Sequence, residues 1–190
     1  HKLNKAASIA VTVVTTAILA TACSERVSTE ILVAGGGTSG IAAGIQAARM
    51  GVSTVIVEEY EWLGGMLTSA GVSAADGNYN LQGGIWKEFK DSLSAYYGGD
   101  SLLRSGWVSN VMFEPSAGNR IFNNMASAEP LLKVSFNSVV ERVKQASDGW
   151  MVKVKTEHAT IVYKAKILID ATELGDVAAM CGVAYDVGMD

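Results

Sequence analysis

The chain has 190 residues, 49% of them apolar, which is enough for one domain with a substantial core. Its formal charge is −4 with no basic run, so nucleic acid is not an expected partner. Two cysteines, Cys23 and Cys181, exclude a disulfide framework, a thiolate zinc set and an iron–sulfur cluster in these residues.

The chain opens His1-Lys2-Leu3-Asn4-Lys5 and then runs from Ala6 to Ala20 without a charge, reaching Ala20-Thr21-Ala22-Cys23. A basic start, a short apolar middle and small residues before a cut predict a secretory signal peptide over residues 1–22. The run is too short and too rich in threonine for a membrane span. Leu19-Ala20-Thr21-Ala22-Cys23 resembles a bacterial lipobox, although the leucine lies one position further from the cysteine than usual. Lipidation of Cys23 is therefore one expectation and ordinary cleavage after Ala22 the other. On either route, export to the periplasm or outer face of a bacterial envelope is expected. Residues 1–22 hold no twin arginine; unless residues preceding His1 supply one, a cofactor is expected to be loaded after export. Residues 23–29 read as a short linker.

Glu30-Ile31-Leu32-Val33-Ala34 predicts a strand buried on both faces, followed by Gly35, Gly37 and Gly40 in G-x-G-x-x-G spacing. In a dinucleotide fold the first glycine makes the turn, the second admits a pyrophosphate, and the third packs helix on strand. The phosphates would sit at the N-terminus of the next helix, where free N–H groups and the helix dipole stabilise an anion. Ile41, Ile45 and Ala48 predict that helix, with Gly51 at its end. A second buried strand, Thr54–Val57, runs into Glu58, placed to accept hydrogen bonds from ribose hydroxyls.

With Leu63-Gly64-Gly65-Met66-Leu67-Thr68 the chain resembles the bacterial FAD-dependent oxidoreductases whose fold is similar to that of glutathione reductase. The resemblance implies that FAD is the cofactor, with Gly64, Gly65 and Thr68 along its pyrophosphate and ribityl side. It also implies Thr38 and Ser39 in the glycine loop, and Glu59 beside Glu58, as contacts. The paired glycines agree physically, since they expose backbone N–H groups to a ligand.

Ser69 to Gly84 reads as a polar loop, with Asp76 and Asn78 either near a flavin or in a surface turn. Ile85, Phe89 and Leu93 predict an amphipathic helix ended by Gly98-Gly99, and Pro115 to Met125 a second one. Phe113-Glu114-Pro115 also resembles the family. From Leu131 the period becomes two: Leu132–Phe136, Val139–Val143, Trp150–Val154 and Thr160–Tyr163, with a hairpin turn at Asp148-Gly149, read as one antiparallel meander. By resemblance Val140, at its start, contacts the adenine. His158 reads as a solvated turn residue.

A buried strand at Ile167-Leu168-Ile169 then meets Asp170-Ala171-Thr172-Glu173-Leu174-Gly175-Asp176, which resembles the family's D-A-T-G/E-x-G-D element beside the FAD phosphates. Ala171 and Thr172 are the expected contacts, and Glu173 stands where many relatives carry glycine. Val177–Cys181 predicts a short helix with Cys181 buried among small residues.

The fold expected is α/β: a Rossmann-like parallel sheet with a helical insertion and an antiparallel meander. Residues 30–190 would form an FAD-binding domain that is the N-terminal part of a longer enzyme. The expected activity is FAD-dependent oxidoreduction of a small-molecule substrate, with substrate-choosing and catalytic residues beyond Asp190. An NAD-dependent dehydrogenase shares the glycine loop and the acid but leaves Gly64-Gly65 and the meander without a role. A non-catalytic dinucleotide-binding protein of the envelope is the reading from another class.

Overall fold

A computed structural model describes residues 25–77 and 79–188. The expected signal peptide, Cys23 and Asn78 lie outside the described residues.

Strand β1 (Glu25–Ala34) leads through the glycine loop into α1 (Thr38–Arg49) and back to β2 (Thr54–Val57). A two-strand ribbon follows, β3 (Ala74–Ala75) with β4 (Val111–Met112), and between its strands lies α2 (Gly84–Tyr97). Helix α3 (Pro115–Ser127) has its proline in the first turn, where the missing N–H costs nothing. Strands β5 (Leu132–Ser135), β6 (Val139–Ala146), β7 (Gly149–Lys155) and β8 (Thr160–Asp170) precede a short α4 (Asp176–Met180).

The six long strands form one sheet in the order β5-β2-β1-β8-β7-β6. The first four are parallel, and the last three form the antiparallel meander. Alternate residues of β1 and β2 serve two cores. Val33 and Ile56 face the helices and pack with Ile41, Ile45, Phe89, Leu93 and Phe122. Leu32, Val55 and Val57 face the other way and meet Val152 and Val154 of β7 with Tyr163 and Ala165 of β8. The twisted sheet thus turns its own meander over the face that the helices leave open. Phe89 centres the helical layer, stacked on Phe122 at 4.1 Å between centroids and edge-on to Phe113. Arg49, at the end of α1, joins the layer's rim by bonding both carboxylate oxygens of Glu88 on α2 and one of Glu129 after α3.

Four sequence expectations need correction. Residues 25–29 are the first half of β1, held by β8 from Glu25↔Ile161 to Thr29↔Ala165, and are not a linker. Leu132–Phe136 is not part of the meander: β5 pairs in parallel with β2 at the far edge of the sheet, where Leu132 packs beside α1. A half-covered parallel edge strand alternates just as a meander strand does. The runs Thr160–Tyr163 and Ile167–Ile169 are one strand, β8, whose lysines are paired: Lys164 with Asp148 and Lys166 with Glu30. Cys181 is exposed, because the five-residue α4 lies on the surface.

Candidate functional site

The C-terminal ends of β1, β2 and β8 open onto one cleft of about 910 Å³, at the point where such sheets receive ligands. One wall is the N-terminus of α1 and the turn after Leu63. The other is Ala171 to Val177, and Ser138–Val140 close the end beside Glu58.

The three loop glycines answer three different demands. Gly35 turns the chain at φ +99°, and a Cβ there would overlap the Ala171 carbonyl. Gly40 is pressed against the Gly35 carbonyl, so any side chain would drive α1 away from β1. Gly37 differs: it is the N-cap of α1 at φ −65°, and nothing lies within 4 Å of where its Cβ would stand. The fold does not require glycine at Gly37; the space beside it faces the cleft. No side chain caps α1, so the first-turn N–H groups of Thr38 and Ser39 have no capping acceptor.

Gly64, at φ +111°, donates its N–H to the Gly36 carbonyl at 2.9 Å and pairs with Gly37. The Gly64-Gly65 turn thus lies directly on the glycine loop. Thr68 supports it from beneath: this threonine is 1% exposed, and its hydroxyl donates to the Leu63 carbonyl at 2.5 Å.

Glu58 is 7% exposed and binds four segments together. Its Oε2 accepts the Gly36 N–H at 2.5 Å and its Oε1 the Tyr60 N–H at 2.9 Å. Its own N–H donates to Ser135 and its carbonyl accepts from Ser138. Burial pushes the carboxyl above its ordinary value, against the pull of the Tyr60 and Gly36 N–H groups, while Glu59 adds to the rise.

Of the residues expected at the site, Gly35, Gly37, Thr38, Ser39, Glu58, Glu59, Gly65, Val140, Ala171 and Thr172 line this cleft. Gly40, Gly64 and Thr68 do not: they hold the cleft's walls in place from within. Sequence reasoning missed Ser138, Met66 and Leu174, which also line it, since nothing in their local pattern marks them. A second, more open hollow of about 500 Å³ shares Glu59, Tyr60 and Val139 and extends toward Lys155. His158 is solvated, its side chain 87% exposed, and Asp76 is exposed. Among the described residues, no cluster of three or more His, Cys, Asp or Glu could hold a metal ion, and no helix is long and apolar enough to cross a membrane.

The model of the family described as FAD dependent oxidoreductase matches residues 30–190. Among solved structures, a flavoprotein/dehydrogenase from Cytophaga hutchinsonii is 16% identical with a TM-score of 0.64, over 86% of this chain and 44% of its own. The p-nitrophenol 4-monooxygenase PnpA from Pseudomonas putida DLL-E4 is 14% identical with a TM-score of 0.59, over 85% and 45%. The OxyS anhydrotetracycline hydroxylase from Streptomyces rimosus is 12% identical with a TM-score of 0.62, over 86% and 35%. At these identities the likeness is one of fold, and the chain spans less than half the length of each of these structures. No curated protein matches it.

A carboxyl held above its ordinary value contributes stability that is fully present below the unfolded value near 4.5 and is lost as pH rises through the folded value. Wild type should therefore lose stability relative to Glu58→Gln as pH rises from 4.5, in urea unfolding followed at several pH values. A difference that does not change with pH would contradict this state of Glu58.

Proposed function

The chain belongs to the FAD-dependent oxidoreductase family, and from that premise we propose that the whole protein oxidises or reduces a small organic molecule with FAD held in this cleft. The observation that carries the reading is the space at Gly37. A glycine that the fold could replace, set at an uncapped helix N-terminus and facing a cleft that ends at a buried carboxylate, suits the pyrophosphate and adenosine ribose of a dinucleotide.

When bound, the flavin supplies the redox chemistry through its isoalloxazine ring. The chain's own residues bind and orient. The N–H groups of Thr38 and Ser39 hold negative charge without a basic side chain. Glu58 accepts from the ribose hydroxyls with the lone pairs that Gly36 and Tyr60 leave free, and Val140 offers the adenine an apolar contact. Gly65 lets the following turn lie close to the cofactor, and Ala171 and Thr172 form the opposite wall. The Gly64-Gly65 turn favours FAD over NAD, because it continues the cleft past the phosphate position toward Met66 and Ala70. None of these residues is assigned a proton-transfer role.

Export and lipid anchoring belong to the same proposal, supported by the lipobox-like Leu19–Cys23 stretch. Ser24 alone separates Cys23 from the start of β1, so a lipid on Cys23 would hold the sheet close to the bilayer. The mass of the mature protein is expected to carry a diacylglycerol adduct on Cys23, and an unmodified N-terminal cysteine would refute the anchor.

The cofactor reading is tested at Gly37. Gly37→Ala should alter stability by no more than about 1 kcal/mol, because its Cβ meets nothing in the fold. It should weaken FAD binding by at least about tenfold, roughly 1.4 kcal/mol, in a fluorescence titration. Equal affinity in the two proteins would count against a pyrophosphate at this position.

A further inference from the structure

We infer that Asp170, which does not line the cleft, is a positioning residue that sets the shape of its far wall and through it the affinity for the cofactor. The inference rests on the FAD reading above. Strand β8 ends at Asp170 beside Ala34, and the Ala171 N–H continues the ladder to the Ala34 carbonyl at 2.8 Å. From there the chain leaves the sheet for five residues, 171–175, before α4 begins. Ala171, Thr172, Glu173 and Leu174 of that excursion line the cleft, as do Asp176, Val177 and Met180 next to it.

Such an excursion has few apolar contacts of its own. Leu174 is 86% exposed, and among these residues only Val177 is buried. A loop like this keeps one conformation only if its polar groups fix it. One carboxylate does so at both ends. Asp170 Oδ1 accepts the Thr172 N–H at 3.0 Å and the Thr172 hydroxyl at 2.6 Å, and Oδ2 accepts the Ala178 N–H at 2.6 Å. The Thr172 hydroxyl oxygen in turn accepts the Asp176 N–H at 2.9 Å. The carboxylate therefore ties the start of the loop to the single turn of α4, and Thr172 relays the tie across the middle. Three donors on one charged acceptor make a stronger clasp than neutral pairs would.

The clasp also reaches the glycine loop. The Ala171 carbonyl stands where a side chain on Gly35 would be, so the position of Ala171 and the turn at Gly35 are fixed together. Loosening Asp170 would let Ala171 and Thr172 move relative to the N-terminus of α1. Both walls of the phosphate end of the cleft would then lose their spacing, although Asp170 itself touches no ligand.

The test uses the full chain and reads FAD affinity by fluorescence titration alongside thermal unfolding of the FAD-free proteins. Asp170→Asn turns one acceptor into a donor that faces an N–H or the hydroxyl. Thr172→Val removes both bonds of the hydroxyl, to Asp170 and from Asp176, and leaves the bond from Ala178 to Asp170 in place. Each is expected to weaken FAD binding by about tenfold, and the double variant by little more than either alone, since both break one clasp. Thr172→Ser keeps the hydroxyl and should restore the binding that Thr172→Val loses, a rescue that a general loss of fold would not show. If Asp170→Asn fails to fold, amide hydrogen exchange across residues 171–178 of the FAD-free Thr172→Val protein decides: faster exchange than in wild type supports the clasp, and unchanged exchange overturns it. Variants that bind as tightly as wild type would overturn the clasp alone. A wild type that takes up no FAD would overturn the reading on which it rests.

Discussion

Everything in this molecule depends on how closely three pieces of backbone approach one another at the ends of β1 and β8. The Ala171 carbonyl occupies the side-chain position of Gly35, and the Gly35 carbonyl occupies that of Gly40. Backbone packed this tightly brings the start of α1 to the carboxyl ends of the parallel strands. The cleft, the uncapped N–H groups and the carboxylate of Glu58 then converge without any further device. Two more glycines complete the surface, as the Gly64-Gly65 turn lies on Gly37. The walls of the phosphate end are built largely from main chain, and among the described residues no basic side chain lines the cleft.

The two cores keep that geometry rigid. On one side of the sheet α1, α2 and α3 pack through Ile41, Ile45, Phe89 and Phe122. On the other, β7 and β8 cover Leu32, Val55 and Val57. β1 takes part in both layers and is paired along its length with β8, so the glycine loop is anchored from two sides. Glu58 adds a polar link: its carboxylate holds Gly36 and its main chain holds the end of β5 and the start of β6. A buried carboxylate would be a burden alone, and here two N–H groups offset its desolvation in part.

The strand, the glycine loop, α1, β2 and Glu58 were legible in the sequence because their chemistry is local. The glycine spacing, the helical period and the strand-ending acid lie within a few residues of each other. What depended on distant partners was not legible. Lys164 and Lys166 interrupt an apolar run, and only the fold brings Asp148 and Glu30 to them and makes one strand of two. The alternation at Leu132–Phe136 reports one covered face and says nothing of whether the neighbour runs parallel or antiparallel. Thr68 has the same spacing whether its hydroxyl meets a ligand or the Leu63 carbonyl, and in the structure it meets Leu63. The role of Asp170 required a bond to Ala178, eight positions on, that no motif encodes.

The central claim is that this cleft holds FAD, and the visible absorption spectrum of the purified full chain, taken before and after adding FAD and then a chemical reductant, tests it most directly. The account predicts the visible bands of an oxidised flavin that stay with the protein on desalting and bleach on reduction. A colourless protein that retains no flavin after incubation with FAD would contradict it.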